Sequence, residues 1–281
     1  MQNMQHEGPQ MKDIYVLKFG GNAISGKDNM MRLSREIAEL IHGGAKIVLV
    51  HGGGPEISAE MEKRGMTPTK IGGVRVTDEA GLEVAEIVLR QLNSAIVECL
   101  EEASVQAFGV PGYIFTLCKK KAPYTATEGE SMVTVDLGLV GEVVSVDVDT
   151  VMDLLKEGIT PVVYPIGKDD NGRMLNVNAD TMAAGIAAGI KCKEMITITD
   201  VPGIMTDIND PSSKIDKLNL KEVDELIASG VISGGMIPKV EACRNALHAG
   251  VEVVRMVNGK DQRSIVTDIM KNVPHGTIIV K

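Results

Sequence analysis

Two hydrophobic periods alternate along this chain. Short apolar runs such as Ile14-Tyr15-Val16-Leu17 and Ile47-Val48-Leu49-Val50 read as buried strands, and each is followed by a segment of helical period. The first helix is expected over 28–42, with Asp28 as N-cap and Met31, Ile37, Leu40 and Ile41 on its apolar side. Pro55 suits the first turn of a second helix ending near Arg64. Residues 65–78 read as loop and 79–103 as a long helix. Over 109–145, Gly, Pro, Thr and Val recur at short intervals without a helical period, which predicts β-hairpins. Further helices are expected over 147–156, 181–190, 220–228 and 236–249, and strands over 160–163, 195–198, 251–255 and 277–280. Residues 199–219 read as one long loop rich in Asp, Pro, Gly and Ser. Alternation of this kind predicts an α/β fold built on a mainly parallel sheet covered by helices. A boundary near residue 191 would divide it into 1–191 and 192–281.

Composition narrows the classes of activity. At 281 residues and 44% hydrophobic content the chain has enough apolar surface for a large core. No apolar run approaches the ~20 residues of a membrane span, and Met1 to Gln10 has no signal-peptide core, so a cytoplasmic location is expected. A net charge of −9, no Trp, three Phe and four Tyr argue against binding nucleic acid through a basic field or stacked aromatics. Cys99, Cys118, Cys192 and Cys243 are scattered without zinc spacing and read as buried thiols, and no metal site is predicted. The 16 methionines help to fill an aromatic-poor core.

Candidate chemistry lies where strands turn into helices. Lys18-Phe19-Gly20-Gly21 and His51-Gly52-Gly53-Gly54-Pro55 each follow a strand, where successive N–H groups at a helix N-terminus suit an anion. Two familiar alternatives fail. Gly21 to Lys27 fits a Walker P-loop until Asp28, which stands where Ser or Thr would bind Mg²⁺. Gly52-Gly53-Gly54 fails the dinucleotide fingerprint at Ile57, where its last glycine belongs. Lys18, at a strand's C-terminal end, reads as a phosphate-binding lysine. Lys239 follows Gly234-Gly235 at a helix start, an unfavourable place for a cation unless a site needs one there. Asp180 reads either as an N-cap or as a site carboxylate. Asn176 and Asn178, two apart on an extended segment, point to one side and can both face a ligand. Arg75 suits a carboxylate or pairs with Asp78. His42, His51, His248 and His275 have no catalytic partner by spacing and read as structural, and Lys119-Lys120-Lys121 as a solvated hairpin edge.

Taken in order, these segments resemble the amino-acid kinase superfamily, most closely its acetylglutamate kinases. The motifs are Lys18-Phe-Gly-Gly, His51-Gly-Gly-Gly-Pro, Gly73-Val-Arg-Val-Thr-Asp, Asn176-Val-Asn-Ala-Asp, Asp200-Val-Pro-Gly-Ile and Gly235-Met-Ile-Pro-Lys. The resemblance implies an open, mainly parallel sheet sandwiched between helices, in two lobes: an acceptor-binding lobe roofed by β-hairpins and a C-terminal lobe for ATP. It implies that Lys18 and Lys239 neutralise the phosphoryl group in flight while Asp180 holds both lysines. Gly20, Gly21, Gly53 and Gly54 would donate N–H groups, and Arg75, Asn176 and Asn178 would hold the acceptor. Asp200, Val201, Gly203, Ile204 and Met205, with Val231 and Ser233, would contact nucleotide, and Mg²⁺ would ride on its phosphates. A homodimer is implied by the short leader. Two departures bear on the acceptor: Gly109 to Phe115 replaces the family's Gly-Lys-Asp-Gly-like stretch, and Lys119-Lys120-Lys121 lies in the adjoining hairpins. A related kinase for another carboxylate, such as an aminoadipate derivative, or a ligand-sensing protein without turnover are the alternative readings.

Overall fold

The structure is a computed structural model that describes residues 14–20, 26–71, 74–128, 131–207, 209–261 and 276–281. Its centre is an eight-stranded sheet. Those strands are β1 (Ile14–Phe19), β2 (Lys46–His51), β5 (Ala107–Pro111), β10 (Thr160–Tyr164), β13 (Glu194–Thr199), β14 (Lys217–Asn219), β15 (Val253–Asn258) and β16 (Thr277–Val280), in spatial order β14-β16-β15-β13-β1-β2-β10-β5. All neighbours are parallel except β15 and β16. Strands preceding residue 191 fill one half of the sheet and strands following it fill the other, meeting where β1 pairs with β13.

Strand alternation explains the layering. On β1, Ile14 and Val16 face a cluster shared with α4 (Val148–Lys156), α5 (Ala179–Gly189) and α7 (Met236–His248). Tyr15, Leu17 and Phe19 face the opposite cluster, under α1 (Lys27–His42) and α3 (Glu79–Glu102). Both faces are buried, so β1 and β2 are apolar except at Lys18, Lys46 and His51. The remaining helices are α2 (Gly54–Lys63), packed on α3, and α6 (Leu220–Ala228). On its other side, helix α5 meets β9 (Val140–Val146), a strand of a separate four-stranded sheet, closely because Gly185 and Gly189 have no Cβ to strike Val143 and Val146. All four cysteines are buried and free, and Lys119 and Lys120 pair with Glu142 and Asp136 along an outer strand.

Several local expectations are corrected. The stretch expected to form hairpins begins instead with β5, a parallel edge strand beside β10, because it continues the register of the buried sheet. Only beyond it do β6 (Thr116–Lys120) and β9 (Val140–Val146) pair antiparallel, as do β7 (Tyr124–Glu128) and β8 (Ser131–Val135). The loop expected over 65–78 holds a two-residue hairpin, β3 (Lys70–Ile71) and β4 (Val74–Arg75), and the long loop 199–219 ends in β14. Gly26, not Asp28, caps α1; its φ of 87° favours glycine, and Asp28 falls in the first turn. Strands β11 (Ile166–Lys168) and β12 (Met174–Val177) are too short to carry a period.

Candidate active site

The same alternation that buries Ile14 and Val16 places Lys18 on the α5 side of β1, under the N-terminus of that helix. Asp180, in the first turn of α5, meets it at Nζ–Oδ1 2.7 Å, with side chains only 4% and 11% exposed. The helix dipole favours a carboxylate there, and pairing offsets the cost of burying both charges. Asp180 is not the N-cap. Asn178 is: its Oδ1 accepts from the N–H groups of Asp180 and Thr181, at 2.8 and 3.2 Å. One of the two asparagines expected to face a ligand therefore spends its oxygen on the helix.

The glycine turns divide their labour. The Gly20 N–H donates to Ile198 O and the Gly52 N–H to Phe19 O, both at 3.0 Å, so each first glycine extends the sheet ladder. That corrects the expectation that the Gly20 N–H meets phosphate. Gly20 is needed for another reason: a Cβ there would overlap the Lys18 ammonium. Gly53 is backed by Leu89 and Leu92 of α3, which would touch a Cβ at 3.0 and 2.8 Å. Gly54 opens α2 with nothing near its missing Cβ, so a side chain there would stand in the cleft. Gly21 lies outside the described residues.

On the acceptor side, Arg75 is 6% exposed and lies in β4 rather than in a loop. Its Nη2 donates to Gly54 O (3.0 Å) and Ser58 Oγ (2.7 Å), while Asp78 caps α3 through the Gly81 N–H. Burial pulls the guanidinium's pKa down from its usual value. Asn176 Nδ2 donates to Thr77 Oγ1 at 3.0 Å, and Thr77 Oγ1 donates to Arg75 O at 3.2 Å, which ties β12 to β4. Of the hairpins, β3–β4 reaches this cleft, with Tyr124 of β7 among the residues packed behind it.

These groups surround one cleft of about 340 Å³, lined by Lys18, Gly20, Gly53, Gly54, Arg75, Asn176, Asn178, Asp180 and Lys239. Lys70 also lines it, and nothing in the sequence reading singled it out; its only signal was a place opposite Arg75 across a hairpin. Four cations and one carboxylate line the cleft of an otherwise acidic chain, so the local field attracts anions. The departures at 109–121 contribute no lining residue.

Lys239 lies in the first turn of α7, just after Gly234, whose φ is 53°. Its Nζ donates to Thr199 Oγ1 at 3.2 Å and lies 3.8 Å from Asp200 Oδ1. Asp180 thus holds Lys18, while Asp200 and Thr199 hold Lys239; the expectation that Asp180 holds both is corrected. A second pocket, of about 520 Å³, is lined by Val201, Gly203, Ile204, Met205, Val231 and Ser233 among others, together with Met236 of α7. Helix α7 therefore contributes to both cavities.

The amino acid kinase family matches residues 13–258, and the chain belongs to that family. Acetylglutamate kinases of Methanococcus vannielii and Methanocaldococcus jannaschii are each 41% identical to it, covering 95% of this chain and 92% and 90% of theirs. Among solved structures, carbamate kinase from Giardia lamblia bound to AMP-PNP superposes with a TM-score of 0.70 at 15% identity, covering 96% of this chain and 98% of that one. N-acetylglutamate synthase from Neisseria gonorrhoeae, complexed with coenzyme A and N-acetyl-glutamate, gives 0.81 at 22% identity, covering 96% of this chain and 60% of that one. At these identities the two structures establish the fold.

Proposed function

We propose that this protein transfers the γ-phosphoryl group of ATP to the side-chain carboxylate of N-acetyl-L-glutamate, forming an acyl phosphate for arginine biosynthesis. The observation that carries the reading is one cleft holding Lys18–Asp180, Lys239 and the Gly53-Gly54 turn beside Arg75, with a second pocket at the far end of the same helix turn. Relatives 41% identical over 270 residues and bearing the name acetylglutamate kinase support it. Arg75, Asn176 and Lys70 bind the acceptor's carboxylate and amide end. The residues from Val201 to Met205, with Val231 and Ser233, bind the nucleotide.

The chemistry then follows from charge. An acceptor carboxylate is already anionic at neutral pH, so no general base is required. Its oxygen bonds to the γ-phosphorus while the bond to the β–γ bridging oxygen breaks, and ADP carries away that electron pair. Lys18 and Lys239 neutralise the equatorial oxygens from opposite sides, and backbone N–H groups at Gly53 and Gly54 fix the reacting geometry. We place Mg²⁺ on the nucleotide phosphates, the usual way that ion is held in phosphoryl transfer. Bound there, Mg²⁺ adds charge neutralisation to that of the lysines.

In this reading residues 1–191 form the acceptor lobe and 192–281 the ATP lobe. The protein works in the cytoplasm, in keeping with four buried free thiols, and as a homodimer. An open edge at β5, where Phe108 is 54% exposed, suits pairing with a second copy; light scattering reporting a monomer at micromolar concentration overturns that part. Incubation with ATP, Mg²⁺ and N-acetyl-L-glutamate in hydroxylamine should yield the hydroxamate. No hydroxamate from N-acetylglutamate, but hydroxamate from an aminoadipate derivative, would reassign the acceptor. None from any acidic amino acid would favour the sensing reading.

A further inference from the structure

His51 and Asn93 are both buried, 0% and 4% exposed, and neither lines either cavity. Their hydrogen bonds run in one direction. Asn93 Nδ2 lies 2.8 Å from Val162 O in β10, and a carbonyl can only accept, so the nitrogen is the amide's donor end. Its other hydrogen points at His51 Nε2, 3.1 Å away, so that ring nitrogen accepts. The proton of the neutral imidazole is therefore on Nδ1, which donates to Gly52 O at 2.8 Å. Asn93 is itself wedged: its Oδ1 occupies the space a Cβ at Gly109 would need.

Gly52 O and the Gly53 N–H belong to one planar, trans peptide unit, and point in opposite directions. Gly52's own N–H is already held by Phe19 O. Fixing Gly52 O against His51 therefore aims the Gly53 N–H away from the sheet, on the side where Gly53 borders the cleft. With an Nε2–H tautomer, Nδ1 would be an acceptor facing the Gly52 carbonyl, and the two would repel. That peptide unit would then be free to rotate.

We infer that Asn93 and His51 are positioning residues: a one-way hydrogen-bond relay from Val162 to Gly52 that holds the Gly53 N–H toward the transferring phosphoryl group. The part concerning the phosphoryl group rests on the kinase reading above; the relay itself does not. It also accounts for a histidine that the sequence reading left as structural, and for Gly109 within a stretch that departs from the family.

Two measurements on the full-length protein separate these parts. In ¹⁵N-histidine-labelled wild-type protein at neutral pH, long-range ¹H–¹⁵N correlation should show His51 with a protonated Nδ1 and a bare Nε2. An Nε2–H tautomer, or fast exchange between the two, overturns the relay whether or not the protein turns over substrate. The second measurement is kinetic. His51→Asn places an amide nitrogen near the Nδ1 position and keeps the donor to Gly52, whereas His51→Gln places it near Nε2 and loses that donor. The Gln variant should lose about 10²-fold in kcat, the scale of one lost transition-state donor, with KM for ATP changed less than threefold. The Asn variant should recover at least a tenth of wild-type kcat. Equal kcat losses in both variants, or a loss confined to KM, overturn the positioning role. If wild type is inactive while the Nδ1–H signature stands, the kinase reading has failed and the relay has not.

Discussion

The two cavities joined by α7 are built in opposite ways. In the cleft, charges are locked before any ligand arrives: Lys18 of β1 is clamped to Asp180 of α5, and Arg75 is tied to Gly54 O and Ser58. The second pocket is lined largely from segments 201–207 and 229–233, and among the described residues Asp207 is the only charged one in its lining. Lys239 stands between the two, its side chain 25% exposed. In the proposed reading, chemistry is thus stored in regular structure and recognition in loops, because stabilising a transition state needs fixed charges whereas holding a nucleotide base tolerates adjustment.

The sharpest test of that contrast is the pair of lysines. Lys18→Ala should lower turnover by about 10²–10³-fold and also destabilise the fold by about 3–5 kcal/mol, since it strands a buried Asp180. Lys239→Ala should lose similar turnover with little change in melting temperature, because its charged partner, Asp200, remains partly solvated. If both variants melt alike, the distinction between locked and half-free charge is wrong. Gly20→Ala should come next, costing at least ~10-fold in turnover because its methyl would displace the Lys18 ammonium from Asp180; folding, followed by circular dichroism, should be retained.

Arg75→Ala should raise KM for the acceptor about 10- to 100-fold while KM for ATP barely moves, as a lost charged hydrogen bond of ~1.5–3 kcal/mol predicts. Val231→Arg should do the reverse by filling the second pocket. Equal rises in both constants for either variant would mean the cavities do not divide substrates between them.

A further effect is on stability alone. Burial lowers the His51 pKa from 6.5 to about 4, so the unfolded chain takes up its proton first as pH falls. That contribution is intact above pH 6.5 and is lost progressively down to about pH 4, totalling about 3 kcal/mol. Denaturant midpoints against pH should show this slope in wild type and a shallower one in His51→Asn.

Legibility in the sequence followed the same division. Lys18, Asp180 and the glycine turns were readable because strand endings, glycine runs and a misplaced lysine are local signals. The lining of the second pocket came only through family resemblance, since loop residues carry no period. Three things were hidden. Asn178 rather than Asp180 caps α5 because either type suits that place, and only backbone geometry chooses between them. Asp200 rather than Asp180 attends Lys239, a contact across 39 positions that no local pattern encodes. The partnership of His51 on β2 with Asn93 on α3 needed sheet and helix assembled before it could be seen. The helices and the longer sheet strands were legible in order, whereas β5, the β3–β4 hairpin, β14 and short strands such as β11 and β12 were not.

The pairing of β1 with β13 also sets a timetable for synthesis. The neighbour of β1 at Glu194–Thr199 is made ~180 residues after it, on the order of 10–40 s later at common elongation rates. Until then β1 presents an open edge in the middle of the future sheet, the kind of template that invites wrong partners. Lys18 lies on that strand, and Lys239, Thr199 and Asp200 all arrive after the gap. A chain truncated before β13 holds Lys18, Lys70, Arg75 and Asp180 but lacks Lys239, so completing the sheet and completing the lining of the cleft are coupled.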